Sequence, residues 1–395
     1  MTRILIPFPC SELLVKSGQM NQHQIPDEPP LSKKIYCFMK FCQVILAVGD
    51  KACLLLLICQ FFLFCNPSTP TGSLSADSSH VALEQGRLSR KAGLQQAETK
   101  SNFDTLKYHR ILSALTHNKP DSIWSVKESY PLPGAITPFK RIIAYYGNLY
   151  SKGMGILGAL PPDQMIERLQ AEVKKWEEAD TLIPVQPALH YIAVTAQSRP
   201  GSNNMYRLRM PDHQIDSVLA IARKINAVVF LDIQVGHSSL AQEIPALRKY
   251  LALPDVHLGI DPEFAMKGGK VPGTAVGTFD AEDINYASAY LAQLVQEYNI
   301  PPKVLVVHRF TQGMVTNYRK VQIIPEVQII MHMDGFGFPA KKMDTYRRFI
   351  TGEPVQFTGF KVFYKNDVQR PRWPEPMQPK DILELYPQPV YIQYQ

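Results

Sequence analysis

Cysteine is absent from everything beyond residue 65. All six cysteines lie at positions 10, 37, 42, 53, 59 and 65. The bulk of the chain is therefore built without disulfides or thiolate metal sites. The six themselves show no C-x-x-C spacing and surround an apolar run, which does not read as a zinc module. Clusters of Lys and Arg are also missing. The net charge of +7 is spread through 395 residues, which argues against a nucleic-acid partner and fits either solubility or attraction to an acidic cell surface. No apolar run is long enough to cross a bilayer unaided. A phosphate-binding turn is scarcely present either. "GMGILG" (Gly153–Gly158) matches G-x-G-x-x-G, but it lies several residues past the nearest strand pattern and opens no clear helix.

What is there divides into three regions. In residues 1–65, "ACLLLLICQFFLFC" (Ala52–Cys65) follows Lys51 and has the length of a signal-peptide core, with Met39-Lys40 as a natural start. A single anchor from Phe41 to Cys65 is the alternative. "LFCN" resembles a lipoprotein processing site, making Cys65 the residue for lipidation, although Phe64 stands where a small residue is usual. Residues 66–137 begin with the Ser/Thr/Pro-rich "NPSTPTGSLSADSSH" and read as a largely disordered linker. Within it, "FDTLKYHRILSALTH" (Phe103–His117) has the spacing of a short amphipathic helix with Leu106, Ile111 and Leu115 on its apolar side. The expectation is an exported monomer, tethered to or released at the cell envelope.

From residue 138 to 395 the sequence alternates between strand and helix patterns. Strands are expected at Arg141–Gly147, Ala188–Ala196, Ala227–Gly236, Val256–Ile260, Lys303–Phe310, Val327–Gly337, Phe357–Tyr364 and Pro389–Tyr394. Helices are expected at Pro161–Asp180, Pro211–Asn226, Leu240–Leu253, Ala281–Asn299 (with Asp280 as its cap) and Pro379–Pro387. The strands are β-branched and apolar on both faces, as in a parallel sheet covered by helices. Eight such units in about 255 residues predict an α/β fold, a single (β/α)8 TIM-type barrel. An open doubly wound sheet is the rival.

In a parallel barrel, function gathers at the C-terminal strand ends. Polar residues there are Asp232 and Gln234 on the third strand, Asp261 and Glu263 on the fourth, and His308 on the fifth. His332 and Asp334 lie on the sixth and Lys361 on the seventh, with Tyr146 on the first. Ion pairs plugging the barrel are one reading. The other is a cleft in which paired carboxylates hydrolyse a glycosidic bond, Glu263 as acid with Asp334 or Asp232 as partner and Asp261 beside it. The seventh strand carries Lys361 where barrel glycosidases usually carry their second acid. Gln234, His308, His332, Lys361 and the rim aromatics Tyr146, Tyr364 and Trp373 are the candidate substrate contacts. The long polar loops Gln197–Arg209 and Lys365–Pro376 are candidate groove walls. No cofactor or metal is expected in the main reading. His308, His332 and Asp334 are the ligand set of a metal-dependent alternative, and a non-catalytic polysaccharide-binding barrel is a third.

The segments "IAYYGNLYS", "LDIQVG", "GIDPEFAM", "VVHRFTQGM" and "MDGFG" resemble a family of uncharacterised exported bacterial proteins, often described as lipoproteins. The resemblance spans about Arg141 to Tyr394. It implies a TIM barrel at a distance from glycoside hydrolases, and it assigns no catalytic residue.

Overall fold

The computed structural model describes residues 103–119, 124 and 129–395. The signal or anchor segment 1–65, Cys65 and the tether up to residue 102 lie outside the described residues. Among the described residues, no helix is long and apolar enough to cross a membrane.

Eight parallel strands close into a barrel. They are β1 (Arg141–Gly147), β2 (Val185–Ala196), β3 (Val228–Ile233), β4 (Val256–Ile260), β5 (Lys303–Arg309), β6 (Val327–Met333), β7 (Phe357–Val362) and β8 (Tyr391–Tyr394). Each pairs with its sequence neighbour, and β1 pairs with both β2 and β8. A closed ring leaves no parallel edge unpaired, which disposes of the open doubly wound alternative. A short segment, Arg207–Arg209, adds antiparallel to the end of β2.

Side chains alternate across each strand, so two cores form. The outer core lies between the strands and the helices α2 (Pro162–Ala179), α3 (Asp212–Arg223) and α4 (Ala281–Tyr298). On α2 the buried stripe is Met165, Leu169 and Trp176, and the Trp176 Nε1 donates to the Tyr394 hydroxyl at 2.9 Å. Asp280 caps α4 through a reciprocal capping box with Asp283. Asn299 ends the helix in the left-handed region at φ 49°. The expected third helix is instead two turns, Leu240–Glu243 and Arg248–Leu251, joined by a 3-10 segment at Pro245–Leu247. Pro245 has no N–H for a continuous helix and breaks the apolar pattern there.

The inner core is filled by Ile142, Ala144, Ala188, Phe230, Val304, Val306, Ile330, Phe357 and Tyr391. Its lower end is closed by a helix ahead of the barrel, α1 (Thr105–Leu115), capped by Asp104 accepting from the Lys107 N–H at 2.8 Å. Ile111 and Leu115 of α1 join the inner core, and the Gln388 N–H donates to the Leu115 carbonyl at 2.8 Å. The unit that carries the barrel thus starts before residue 138. The buried side of α1 is Tyr108, Ile111 and Leu115, whereas Leu106 is 83% exposed. A Leu115→Ala substitution should cost about 2–5 kcal/mol, the range for truncating a fully buried leucine, read as a lower denaturation midpoint at unchanged m-value.

Candidate active site at the C-terminal mouth of the barrel

The upper half of the barrel interior is polar. Inward positions bring Tyr146 from β1, His190 from β2, Asp232 from β3, Asp261 after β4 and His308 from β5. His332 comes from β6, Asp334 follows it, and Lys361 and Gln393 come from β7 and β8. These groups are buried or nearly so. Two glycines make the room. A Cβ at Gly259 would fall 2.4 Å from Asp232 Oδ1 and 2.5 Å from His190 Nε2, and one at Gly359 would fall 2.7 Å from His332 Nδ1. Strand pairing sets Gly259 against Asp232 and Gly359 against His332.

His308 is the hub. Its Nδ1 lies 2.7 Å from Asp334 Oδ2 and its Nε2 lies 3.4 Å from Asp232 Oδ1. Lys361 Nζ pairs with the other Asp334 oxygen at 2.8 Å and sits 3.9 Å from the centre of the Tyr146 ring. The Tyr146 hydroxyl donates to Asp232 Oδ2 at 3.3 Å, and Gln234 Nε2 reaches that hydroxyl at 3.5 Å. His190 Nε2 lies 3.3 Å from Asp232 Oδ1, while its Nδ1 meets the Tyr391 hydroxyl at 2.6 Å. Gln393 Nε2 donates to the same hydroxyl at 3.0 Å. Both ring nitrogens of His332 are buried without a hydrogen-bond partner.

The fourth strand ends differently from a simple alternation. It stops at Ile260, and Asp261 caps a 3-10 turn, Pro262–Phe264, by accepting the Glu263 N–H at 3.0 Å. Glu263 therefore lies half-buried on a turn above the barrel, not on the inward face of a strand. The Pro262 ring suits the first position of that turn, where an N–H is not needed.

These surroundings separate the carboxyl groups. Burial alone would raise Asp232, but the charge of His308 and the imidazole of His190 outweigh it and hold it well below the carboxylate range. Burial is likewise outweighed at Asp334 by Lys361 and His308, which keep that group ionised. Burial would lower His308, yet Asp232 and Asp334 push it up to about 10. At Asp261 burial wins and pushes the group up to about 7; His308 and Lys361 oppose it, and Asp232 and Asp334 add to it. Burial, then Asp261 and Asp334, raise Glu263 well above its ordinary value. Burial pushes His190 down to about 4 and His332 well below its ordinary value, so both are neutral.

A raised carboxyl has a stability consequence. The folded barrel keeps the Asp261 proton that the unfolded chain releases near pH 3.8. Its contribution is fully present below that pH and is lost as pH rises through about 7. Asp261→Asn can still accept the Glu263 N–H, and it removes the charge that faces Asp232, Asp334 and Glu263. Above pH 7 the variant should be more stable than the wild type by about 2–4 kcal/mol, with the gap closing toward pH 4. Thermal denaturation followed from pH 4 to 8 checks this, and parallel curves for the two proteins would refute it.

Seven of the nine strand-end and turn candidates meet inside the barrel: Tyr146, Asp232, Asp261, His308, His332, Asp334 and Lys361. Gln234 flanks them and Glu263 sits above them. Tyr364 does not join them. It faces the outer layer, where its hydroxyl meets that of Tyr145 at 3.1 Å and its ring stacks on Tyr394 at 5.4 Å. There it lines a surface cavity of about 310 Å³ with Arg168 and Ile156. Trp373 lies on the Lys365–Pro376 loop, stacked over Phe338 at 6.5 Å, and it does not enter the cluster. His190, Tyr391 and Gln393 belong to the cluster although the strand-end pattern did not single them out.

Compared with known proteins, the chain matches no family model and no curated sequence.

Proposed function

We propose that the protein is an exported barrel, held at the cell envelope through its N-terminal segment, that hydrolyses glycosidic bonds in an envelope polysaccharide. Glu263 is the general acid and Asp334 its ionised partner, acting as nucleophile or base. The observation that carries this reading is the split between two carboxyls at one barrel mouth. Glu263 is held protonated by burial, Asp261 and Asp334. Asp334 is held ionised, one oxygen on Lys361 and the other on His308. Carboxyls whose environments drive their proton affinities apart are what an acid and its partner need. Lys361 thus takes a role in place of the acid usual on the seventh strand: it fixes Asp334 instead of acting as a carboxylate itself. The resemblance to exported, lipoprotein-like barrel proteins supports the location.

The test is release of reducing ends from isolated envelope polysaccharides by the purified chain. Wild-type protein should release them, and Asp334→Asn should reduce the rate by about 10²-fold or more. A chain that binds these polysaccharides, releases nothing and binds equally well as Asp334→Asn is a non-catalytic carbohydrate-binding barrel instead.

A further inference from the structure

Below the rim carboxyls, three atoms converge at the centre of the barrel: His190 Nε2, Asp232 Oδ1 and His308 Nε2. The Asp232 oxygen lies 3.3 Å from the first and 3.4 Å from the second. All three residues are 0% exposed. None of the three atoms has an aligned hydrogen-bond partner, close as they are. The contacts among them are long and poorly aligned for hydrogen bonds, and a single cation between them would satisfy all three.

We infer that His190, Asp232 and His308 form a binding site for one divalent transition-metal ion. The chemistry of the donors is two imidazole nitrogens and one carboxylate oxygen, a set that favours zinc, iron or manganese over magnesium or calcium. The two distances from Asp232 Oδ1 fit as well. Bonds of about 2.0–2.1 Å meeting at a tetrahedral angle hold neighbouring donor atoms about 3.3–3.4 Å apart.

In ligating histidines the second ring nitrogen is fixed by a hydrogen bond, and both histidines have such a contact. His308 Nδ1 is 2.7 Å from Asp334 Oδ2. His190 Nδ1 is 2.6 Å from the Tyr391 hydroxyl, which is itself steadied by Gln393. The Tyr146 hydroxyl holds the remaining Asp232 oxygen. Gly259 is the only kind of residue that fits opposite, since any Cβ there would press on both Asp232 and His190.

The neighbouring set His308, His332 and Asp334 also lies within ligand range, but it is the weaker choice. Both Asp334 oxygens are occupied, by His308 Nδ1 and by Lys361. Asp334 is an outer partner of the ion through His308, not a ligand. The site lies below the glycosidic pair: Glu263 belongs to the rim turn and is not a donor to it, and Asp334 meets it only through His308.

The test uses the full-length protein, stripped with a chelator and titrated with Co²⁺ and, separately, Zn²⁺. One Co²⁺ per chain should bind with visible absorption, and Mg²⁺ should not displace it. Asp232→Asn and His190→Gln should each weaken binding by more than about 100-fold, Tyr391→Phe by about 10-fold, and Glu263→Gln not at all. Should the ligand variants fail to fold, ¹⁵N-histidine spectra of the wild type decide. Zn²⁺ should shift Nε2 of His190 and His308 while both keep a proton on Nδ1. Absence of Co²⁺ and Zn²⁺ binding overturns the site. So does a His308 that keeps protons on both ring nitrogens in saturating Zn²⁺, or binding that Asp232→Asn leaves unchanged.

Discussion

On the proposed polysaccharide substrate, Glu263→Gln should lower turnover by about 10²–10⁴-fold while KM changes little, the range for removing a general acid. The substitution keeps the length and shape of the side chain. It also leaves untouched the backbone N–H that Glu263 donates to Asp261, so the rim turn stays in place and substrate binding survives. What is lost is the proton for the leaving oxygen. Burial, Asp261 and Asp334 together keep that proton on the wild-type carboxyl well above its usual range. The wild-type rate should therefore persist into neutral pH and fall on the alkaline side as Glu263 ionises. That limb should be missing from the residual rate of Glu263→Gln. An activated leaving group, such as a nitrophenol, needs little protonation, so the deficit should shrink on such a substrate. Full activity of Glu263→Gln on native polysaccharide removes Glu263 from the acid role.

The barrel was legible because its strands are buried on both faces and its spacing repeats. The inward position of Asp232, His308, His332 and Lys361 followed from alternation alone. The same rule missed His190, since β2 runs for twelve residues, Val185–Ala196, and His190 lies in its middle. A search of strand ends passes over a polar residue at mid-strand, although a histidine flanked two residues away by Ala188 and Ile192 is an inward position in its own right. Tyr391 and Gln393 lie in "VYIQY" (Val390–Tyr394), a run with no charged residue to mark it as polar. Tyr364 lies two residues past the end of β7 at Val362. With Lys361 inward, it shares the outward parity of Phe360 and Val362. The fourth strand shows the limit of alternation most clearly. Asp261 turns the chain by capping Pro262–Phe264, so its relation to Glu263 is set by a side-chain hydrogen bond, which period-two reasoning does not contain. On α1, Ile111 and Leu115 are buried as the spacing predicts, and Tyr108 packs inward in place of Leu106.

The largest stability effect is expected at Lys342→Met. Lys342 lies on the helix Pro339–Thr345, 1% exposed, and forms an ion pair with Asp367, itself 2% exposed. Its ammonium also donates to the Lys361 carbonyl at 2.6 Å. Asp367 accepts the Gly337 N–H at 2.9 Å on one oxygen and the Phe363 N–H at 2.9 Å on the other. The pair therefore ties the chain after β6 to the chain after β7, the two segments that carry Asp334 and follow Lys361. Methionine fills the space of the lysine stem and packs against Phe360 and Phe363, whose rings the ammonium now faces at 5.0 and 5.3 Å. The apolar volume is retained, so the loss is electrostatic: Asp367 stays buried without its cation. Breaking a buried pair from one side costs about 3–5 kcal/mol, and denaturant unfolding should report that loss. Adding Asp367→Asn should recover part of it, because the amide oxygen still accepts one backbone N–H and no net charge remains buried. A double variant as unstable as the sum of the two single variants would mean that the pair contributes through packing alone.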